Sequence, residues 1–138
     1  VMEKRGLSVC PEYIATVGTK VESAYEKMCE YLHNVKTLPT AFFADNDTIA
    51  IGAMRALKEF GYKIPRDVSI VGFDNVSFGA MAEPALTTVH VYKQEMGETA
   101  VRELLFSIEN KNKIHLKIQV CTDFVERDSV CDLNKNNK

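Results

Sequence analysis

The chain has 138 residues, enough for one domain with a buried core, and its 46% hydrophobic and 26% charged content is ordinary for a globular protein. The net charge of -2 and the isoelectric point near 5.9 argue against a basic surface that binds nucleic acid. No apolar run approaches the roughly 18 residues that a membrane span needs. The composition therefore excludes a DNA-binding or membrane-spanning role for this segment itself.

The beginning of the chain predicts three short elements. Residues 1–6 have the pattern of a helix end closed by a glycine, which indicates that the sequence starts inside a fold and makes the lack of a signal peptide weak evidence. Residues 13–17 are apolar and β-branched, as expected of a strand. Residues 21–32 repeat apolar side chains at helical spacing and are predicted to form an amphipathic helix that covers a sheet.

Residues 38–76 hold the pattern around which the rest of the chain is organised. Residues 40–44 and 68–73 are short apolar runs bounded by prolines or polar clusters, as buried parallel strands are. Between them a helix is predicted to begin at the polar cluster 45–47 and to end at Gly61. A strand, a helix and a parallel strand make a right-handed βαβ unit, in which ligands bind outside the carboxyl ends of the strands.

Polar side chains follow both strands at this edge: Asn46 with Asp45 and Asp47 after the first strand, and Asp74 with Asn75 after the second. Carboxylate and amide groups at neighbouring strand ends can each make two hydrogen bonds to a polyol or a base edge. The same residues are equally typical of a helix N-cap and of a turn that bonds its own backbone. The residues by themselves leave ligand binding and local capping open.

The central helix is predicted to have two apolar faces. The broad face, wide enough to cover a sheet, is formed by Ile49, Ala50, Ala53, Ala56, Leu57 and Phe60. Ile51 and Met54 are predicted to lie on the other side, beside Arg55 and Lys58. This pair is either two scattered exposed residues or part of a subunit contact.

The second half of the chain predicts a strand, a helix and another strand. Residues 84–91 end a loop and begin a strand, and residues 93–109 have one apolar side at helical spacing. Residues 114–120 alternate like a half-buried strand, which residues 122–127 extend. Residues 132–138 have the polarity of a disordered tail.

No motif indicates catalysis, a cofactor or a metal. The cysteines at positions 10, 29, 121 and 131 form no CxxC pair and have no histidine at ligand spacing, so buried or free reduced thiols in a cytosolic protein are expected. The cluster 45–47 begins like a calcium loop, but Ile49 occupies the third ligand position. His33, His90 and His115 are dispersed, and no phosphate-binding or nucleophile motif occurs. We therefore expect no enzyme.

Four motifs occur in order between residues 38 and 129: PTAFFADNDTIAIGAMRALKEFG, IPRDVSIVGFDN, PALTTV and VERDS. Together they resemble the effector-binding domain of the lactose/galactose-repressor (LacI/GalR) family of bacterial transcription regulators. The resemblance implies an α/β fold of the type I periplasmic-binding-protein-like kind, with a parallel sheet in a three-layer α/β/α arrangement. The chain would comprise the C-terminal lobe and a short segment of the N-terminal lobe.

The resemblance also implies how the chain is divided between the two lobes. Residues 1–91 and 122–131 would build the C-terminal lobe, residues 92–121 would belong to the N-terminal lobe, and residues 132–138 would be a tail. Most of the N-terminal lobe lies outside this sequence, and an uncovered helix side forfeits several kcal/mol at about 25 cal/mol per Å². The helix at 93–109 is therefore expected to pack on a neighbouring chain or a non-native surface, or to be poorly ordered. An ordered helix projecting into solvent would contradict this expectation.

By resemblance, Asp74 and Asn46 would contact a small-molecule effector of the sugar or purine class. Thr19 would lie where relatives place another pocket-lining side chain, often an aromatic one. A homodimer would form through the central helix and the segment after the GFD motif, with the following residues at the contact: Ile51, Met54, Arg55, Phe78, Met81 and Ala82. Operator DNA would be bound in the cytoplasm, and only by a helix-turn-helix domain outside this sequence.

Two other classes of protein compete with this interpretation. A periplasmic sugar-binding protein of an ABC uptake system has the same fold and a similar aspartate at a strand end, but acts as a monomer and carries a signal peptide. A doubly wound enzyme is the third class. The PALTTV motif, the VERDS motif and the apolar pair of Ile51 and Met54 favour the regulator.

Overall fold

The structure is a computed structural model that describes residues 3–6, 8, 10–110 and 115–133. Two short 3-10 helices, Glu3–Arg5 and Pro11–Tyr13, precede the regular elements. In chain order these elements are α1 (Val21–Asn34), β1 (Ala41–Phe43), α2 (Asp47–Glu59), β2 (Ser69–Val71), α3 (Ser77–Ala80), β3 (Thr88–His90), α4 (Lys93–Asn110) and β4 (Asp123–Val125).

The predicted βαβ unit is confirmed. Strands β1 and β2 pair in parallel, with Phe42 opposite Ile70, and α2 connects them. The Asn46 side chain caps α2, since its Oδ1 accepts a hydrogen bond from the Ile49 amide at 2.8 Å. The helix ends just before Gly61, whose φ of +84° lies in the left-handed region that commonly terminates helices.

The other two strands lie beyond β2. Strands β3 and β4 pair antiparallel, and two single-residue parallel bridges connect the end of β2 to β3. The buried Ser129 fastens this region: its hydroxyl donates to the Ile70 carbonyl at 2.7 Å and accepts from the Thr87 amide at 2.8 Å. The VERDS segment is thereby anchored between the two pairs of strands.

The core lies between the two helices α1 and α2 and the sheet. Its fully buried members include Ala24 and Met28 of α1, Leu57 of α2, Ile70 of β2, and Leu86, which precedes β3. The predicted apolar faces of both helices are buried, and α2 packs on β2 as expected, whereas α1 packs mainly against α2.

The prediction for Met54 is wrong. Met54 was expected on an exposed side of α2, yet it is only 4% exposed and belongs to the core. The loop after α3 lies over this side of the helix, where Ala82 and Glu83 line the same groove as Met54 and the Lys58 ammonium group donates to the Glu83 carbonyl. A helical-wheel analysis considers only the residues of the helix and cannot predict burial by a loop that is distant in the sequence. The buried face of α2 is therefore wider than predicted.

Two predicted strands are absent from the described residues. Residues 14–18 and 115–120 have no regular secondary structure, and Tyr13 belongs to a 3-10 helix. The chain returns to a strand at Asp123, inside the predicted 122–127 extension. An alternating pattern makes a strand only where a partner strand supplies the hydrogen bonds, and these segments have no such partner within the described part of the chain.

Helix α4 forms as predicted, and the described residues leave its apolar side exposed. It is a continuous helix of 18 residues, and none of them is buried. Its apolar residues are exposed, for example Leu104 at 60% and Ile108 at 65%. The described residues therefore do not bury the apolar side of α4, and packing of this side on a neighbouring chain stays a prediction.

Three further features are the cysteines, the chain ends and the apolar character of the helices. All four cysteines are free, as predicted. Glu3–Arg5 and the positive φ of Gly6 agree with a helical end closed by glycine, although residues 1, 2 and 134–138 lie outside the described residues. In the part of the chain that is described, none of the helices combines the length and the apolar character that crossing a membrane requires.

Candidate functional site

The structure brings the carboxyl ends of β1 and β2 together. The Ala44 amide donates to the Val71 carbonyl at 2.8 Å, and the Asp47 amide donates to the Phe73 carbonyl at 2.8 Å. In the sequence, Asn46 directly precedes Asp47, and Asp74 directly follows Phe73. The two residues predicted to contact a ligand therefore flank one backbone hydrogen bond at the edge of the sheet.

Asp74 has an unusual backbone and an accessible carboxylate. Its φ is +106° and that of Asn75 is +50°, so two successive residues other than glycine occupy the region of positive φ. The Asp74 side chain is 33% exposed, and its Oδ1 lies 3.1 Å from the Lys93 ammonium group. An exposed ion pair of this kind contributes about 0–1 kcal/mol, so a ligand can take the place of the lysine at little cost.

Asn46 fulfils the local role that the sequence left open. Its Oδ1 is used in capping α2, which leaves the amide NH2 group as the part of this half-buried side chain that can donate to a ligand. Thr19 is exposed in the bend that precedes α1. Its role as a pocket-lining residue stays a prediction, as do the roles of Asn46 and Asp74.

A polar network that the sequence did not predict lies next to Asp74. Arg127 donates to the Asn75 Oδ1 at 2.6 Å and to the Leu86 carbonyl at 2.7 Å, and the Asn75 amide nitrogen lies 3.1 Å from the His90 Nδ1. The side chain of Asn75 therefore bridges β3 and the segment after β4. The VERDS motif contains this arginine, but nothing in the motif indicates which residue the arginine contacts.

The two segments that flank α4 meet beside this network. The His90 ring contacts the Tyr92 ring edge to face, with centroids 4.6 Å apart. The Tyr92 hydroxyl donates to the Asp123 carboxylate, and this hydrogen bond raises the pKa of Tyr92 above its ordinary value. The chain thus enters α4 and returns from the 115–120 segment at the same place, next to Asp74.

Asp47 is a second residue that the sequence did not single out. Its side chain is fully buried; Oδ2 accepts from the Val76 amide at 2.8 Å and Oδ1 accepts from the Thr88 hydroxyl at 2.5 Å. Sequence reasoning treated residues 45–47 as one capping cluster. A helix needs only one cap, and the negative charge of Asp45 and Asp47 at its first turn was a sufficient explanation for both, so no local signal indicated the contacts of Asp47.

The predicted dimer residues fall into two groups. Four of them, Ile51, Met54, Arg55 and Ala82, line one open groove together with Lys58 and Glu83. Phe78 and Met81 are exposed on and just after α3, Met81 to 77%. Arg55 packs over the Tyr25 ring at 4.3 Å. Phe78 and Met81 therefore form an exposed apolar surface close in sequence to Ala82 of the groove, and Met54 is the buried residue among those that line the groove.

Comparison with known proteins decides the family. Residues 1–130 match the profile of the periplasmic binding protein-like domain. The chain belongs to this family. The predicted fold class is thereby confirmed, since the same fold is seen in solved LacI-family regulators.

Three relatives illustrate the similarity. The HTH-type transcriptional repressor PurR of Proteus mirabilis (strain HI4320) is 41% identical over 131 residues, which are 95% of this chain and 38% of the relative. A transcriptional regulator CelR in complex with cellobiose superposes with a TM-score of 0.85 at 25% identity, over 93% of this chain and 39% of that one. A LacI-family regulator from Enterococcus faecium with bound ribose has a TM-score of 0.76 at 31% identity, over 86% and 43%.

These relatives are transcription regulators and not uptake proteins. They confirm the LacI-family resemblance and favour an effector-binding regulatory domain over the periplasmic alternative. The chain spans 38% of the length of the curated relatives that it matches.

Proposed function

We propose that this chain is the effector-sensing and dimerising part of a LacI-family transcription regulator. A small sugar-like or purine-like molecule binds between two lobes and modulates operator binding by a helix-turn-helix domain elsewhere in the whole protein. The observation that supports the proposal is the hydrogen bond from the Asp47 amide to the Phe73 carbonyl, which joins the residue after Asn46 to the residue before Asp74. The ribose and cellobiose bound to related regulators support the ligand class.

The two side chains provide complementary hydrogen-bonding groups. The carboxylate of Asp74 accepts two hydrogen bonds from adjacent hydroxyl or N–H groups, and the amide of Asn46 donates to an oxygen or ring nitrogen. A site built in this way rejects analogues that lack those groups, because its own polar groups are then left unpaired. Binding requires no catalysis, so the domain senses its ligand and does not transform it.

The position of α4 suggests how binding is transmitted. Residues 1–91 and 122–131 form one lobe, and residues 92–121 pass into the other, which covers the exposed apolar side of α4. Lys93 is the first residue of α4 and contacts Asp74 directly. An effector that binds the Asp74 carboxylate replaces its ion pair with Lys93, which is a contact between the lobes. By linkage, this change alters the affinity of the DNA-binding domains for the operator.

A ligand panel on the full-length protein tests the proposal. Ribose, cellobiose, sugar phosphates and purine bases are added separately, and the thermal midpoint of unfolding is measured. A ligand at 100 times its dissociation constant stabilises the folded state by about 2.7 kcal/mol. The stabilising ligand is then expected to change the affinity for the regulator's own promoter DNA, measured by fluorescence anisotropy. Stabilisation without any change in DNA affinity would contradict the proposed sensor role.

The groove at Ile51 is proposed as part of a homodimer interface in the cytoplasmic regulator. Replacing Ile51 with glutamate is expected to raise the dimer dissociation constant at least about tenfold, because each of two symmetry-related contacts would then bury a carboxylate. Sedimentation of the full-length protein measures this constant. The control is Lys36→Glu, an exposed residue in the loop between α1 and β1, for which no change is expected. An undisturbed Ile51→Glu dimer would exclude Ile51 from the interface.

A further inference from the structure

The turn that carries Asp74 has to be held in place. Asp74 and Asn75 both have positive φ, and residues other than glycine keep such a conformation only when their surroundings impose it. On one side the Asn75 side chain is fixed by Arg127 and His90. The backbone of the turn is held by β3, since the Asp74 amide donates to the Val89 carbonyl at 2.9 Å and the Asn75 amide to the Thr88 hydroxyl at 3.4 Å, and on the other side by Asp47.

Asp47 hydrogen-bonds to both flanks of this turn. Its amide donates to the carbonyl of Phe73, the residue before Asp74, and its Oδ2 accepts from the amide of Val76, the residue after Asn75. Both distances are 2.8 Å. The other oxygen, Oδ1, accepts from the Thr88 hydroxyl of β3. One buried residue therefore connects the start of α2, both ends of the turn and the neighbouring strand.

The chain makes space for this carboxylate. A Cβ atom at Gly72 would lie 2.2 Å from the Asp47 Oδ1, so the close approach requires glycine there. A carboxylate suits the position because it is an acceptor with two oxygens and faces two donors from different segments. An apolar side chain would leave the half-buried Val76 amide and the buried Thr88 hydroxyl without these partners, which is costly.

We infer that Asp47 is a positioning residue of the effector site: it fixes the turn that aims the Asp74 carboxylate, without touching the ligand. The inference rests on the proposed function, since it concerns the same site. The capping of α2 does not explain Asp47, because Asn46 provides the cap.

Amide hydrogen exchange of the full-length protein, followed by mass spectrometry, tests the structural part. Asp47→Ala is expected to speed exchange in fragments that contain Val76 at least tenfold and to leave fragments around Ile70 unchanged. Ser129→Ala is the matched control, because Ser129 is also a buried polar residue that joins the strands. It should speed exchange in fragments that contain Thr87, whose amide donates to the Ser129 hydroxyl, and leave fragments that contain Val76 unchanged. Unchanged exchange at Val76 in Asp47→Ala overturns the inference.

Ligand affinity tests the functional part, with ribose and hypoxanthine as probes and calorimetry at a temperature where all variants are folded. Asp47→Ala is expected to lower the affinity for whichever probe binds about tenfold. Asp47→Asn should recover most of this loss, because its side-chain oxygen can still accept a hydrogen bond from the Val76 amide. Ser129→Ala should leave the affinity unchanged. A loosened turn with unchanged affinity overturns the inference. Asp74→Ala distinguishes a failure of this inference from a failure of the proposed effector site. If Asp74→Ala also leaves the affinity unchanged, the proposed effector site itself is wrong.

Discussion

Replacing Asp74 with alanine is expected to abolish the thermal stabilisation that the best ligand of the panel gives to the full-length regulator. A hydrogen bond to a charged group contributes about 1.5–3 kcal/mol, and the carboxylate accepts two. Their loss predicts an affinity at least about 100-fold lower. The ion pair with Lys93 does not offset this loss, because it is exposed and contributes about 0–1 kcal/mol.

The control for this experiment is Asp67→Ala. Asp67 is an exposed aspartate before β2, where Arg66 and the Lys63 amide hold its pKa below the ordinary value. Removing it eliminates the same charge from the same lobe without changing the strand ends, so the ligand-induced shift should remain. An unchanged shift in Asp74→Ala would remove Asp74 from the site, whatever the behaviour of the control.

The βαβ unit was predictable because its signals are local. The polar cluster that caps α2, the glycine that ends it and the short apolar runs on either side each specify their own conformation within a few residues. The rule that parallel strands present ligand sites at their carboxyl ends then directed attention to Asn46 and Asp74, whose contact with an effector stays a prediction.

The network around these residues was not predictable from local pattern. The contact between Asp47 and Thr88 joins residues 41 positions apart, and that between Arg127 and Asn75 spans 52 positions. A polar residue in a sequence indicates that a partner is needed if the residue is buried, but not where the partner lies. The same limit explains Met54, because the loop at Ala82 that shares its groove is distant in the sequence.

The exposed α4 shows a related limit. Its spacing correctly predicted a helix, since helix hydrogen bonds lie within the element. The neighbouring segment 115–120 has an equally regular alternation but no strand, because strand hydrogen bonds must come from another segment. In this half of the chain, periodicity therefore predicts the helix correctly and the strand wrongly.

Replacing Gly72 with alanine is expected to destabilise the folded state by about 3 kcal/mol, measured by urea unfolding of the full-length protein. The new methyl group would lie 2.2 Å from the Asp47 Oδ1 and 3.1 Å from the Leu86 Cδ2. Neither neighbour has room to move, since Asp47 is held by Val76 and Thr88, and Leu86 is fully buried. The carboxylate would have to abandon its hydrogen bonds or the strand would have to shift.

Gly79→Ala is the matched control for Gly72→Ala, because a methyl group there meets the same two neighbours at ordinary contact distances. It would lie 3.6 Å from the Asp47 Oδ2 and 3.6 Å from the Leu86 Cδ2. This variant should therefore keep nearly the stability of the parent protein. Equal stability of the two variants would show that the Asp47 carboxylate does not require a glycine at position 72. The conformation of the turn that carries Asp74 would then need a different explanation.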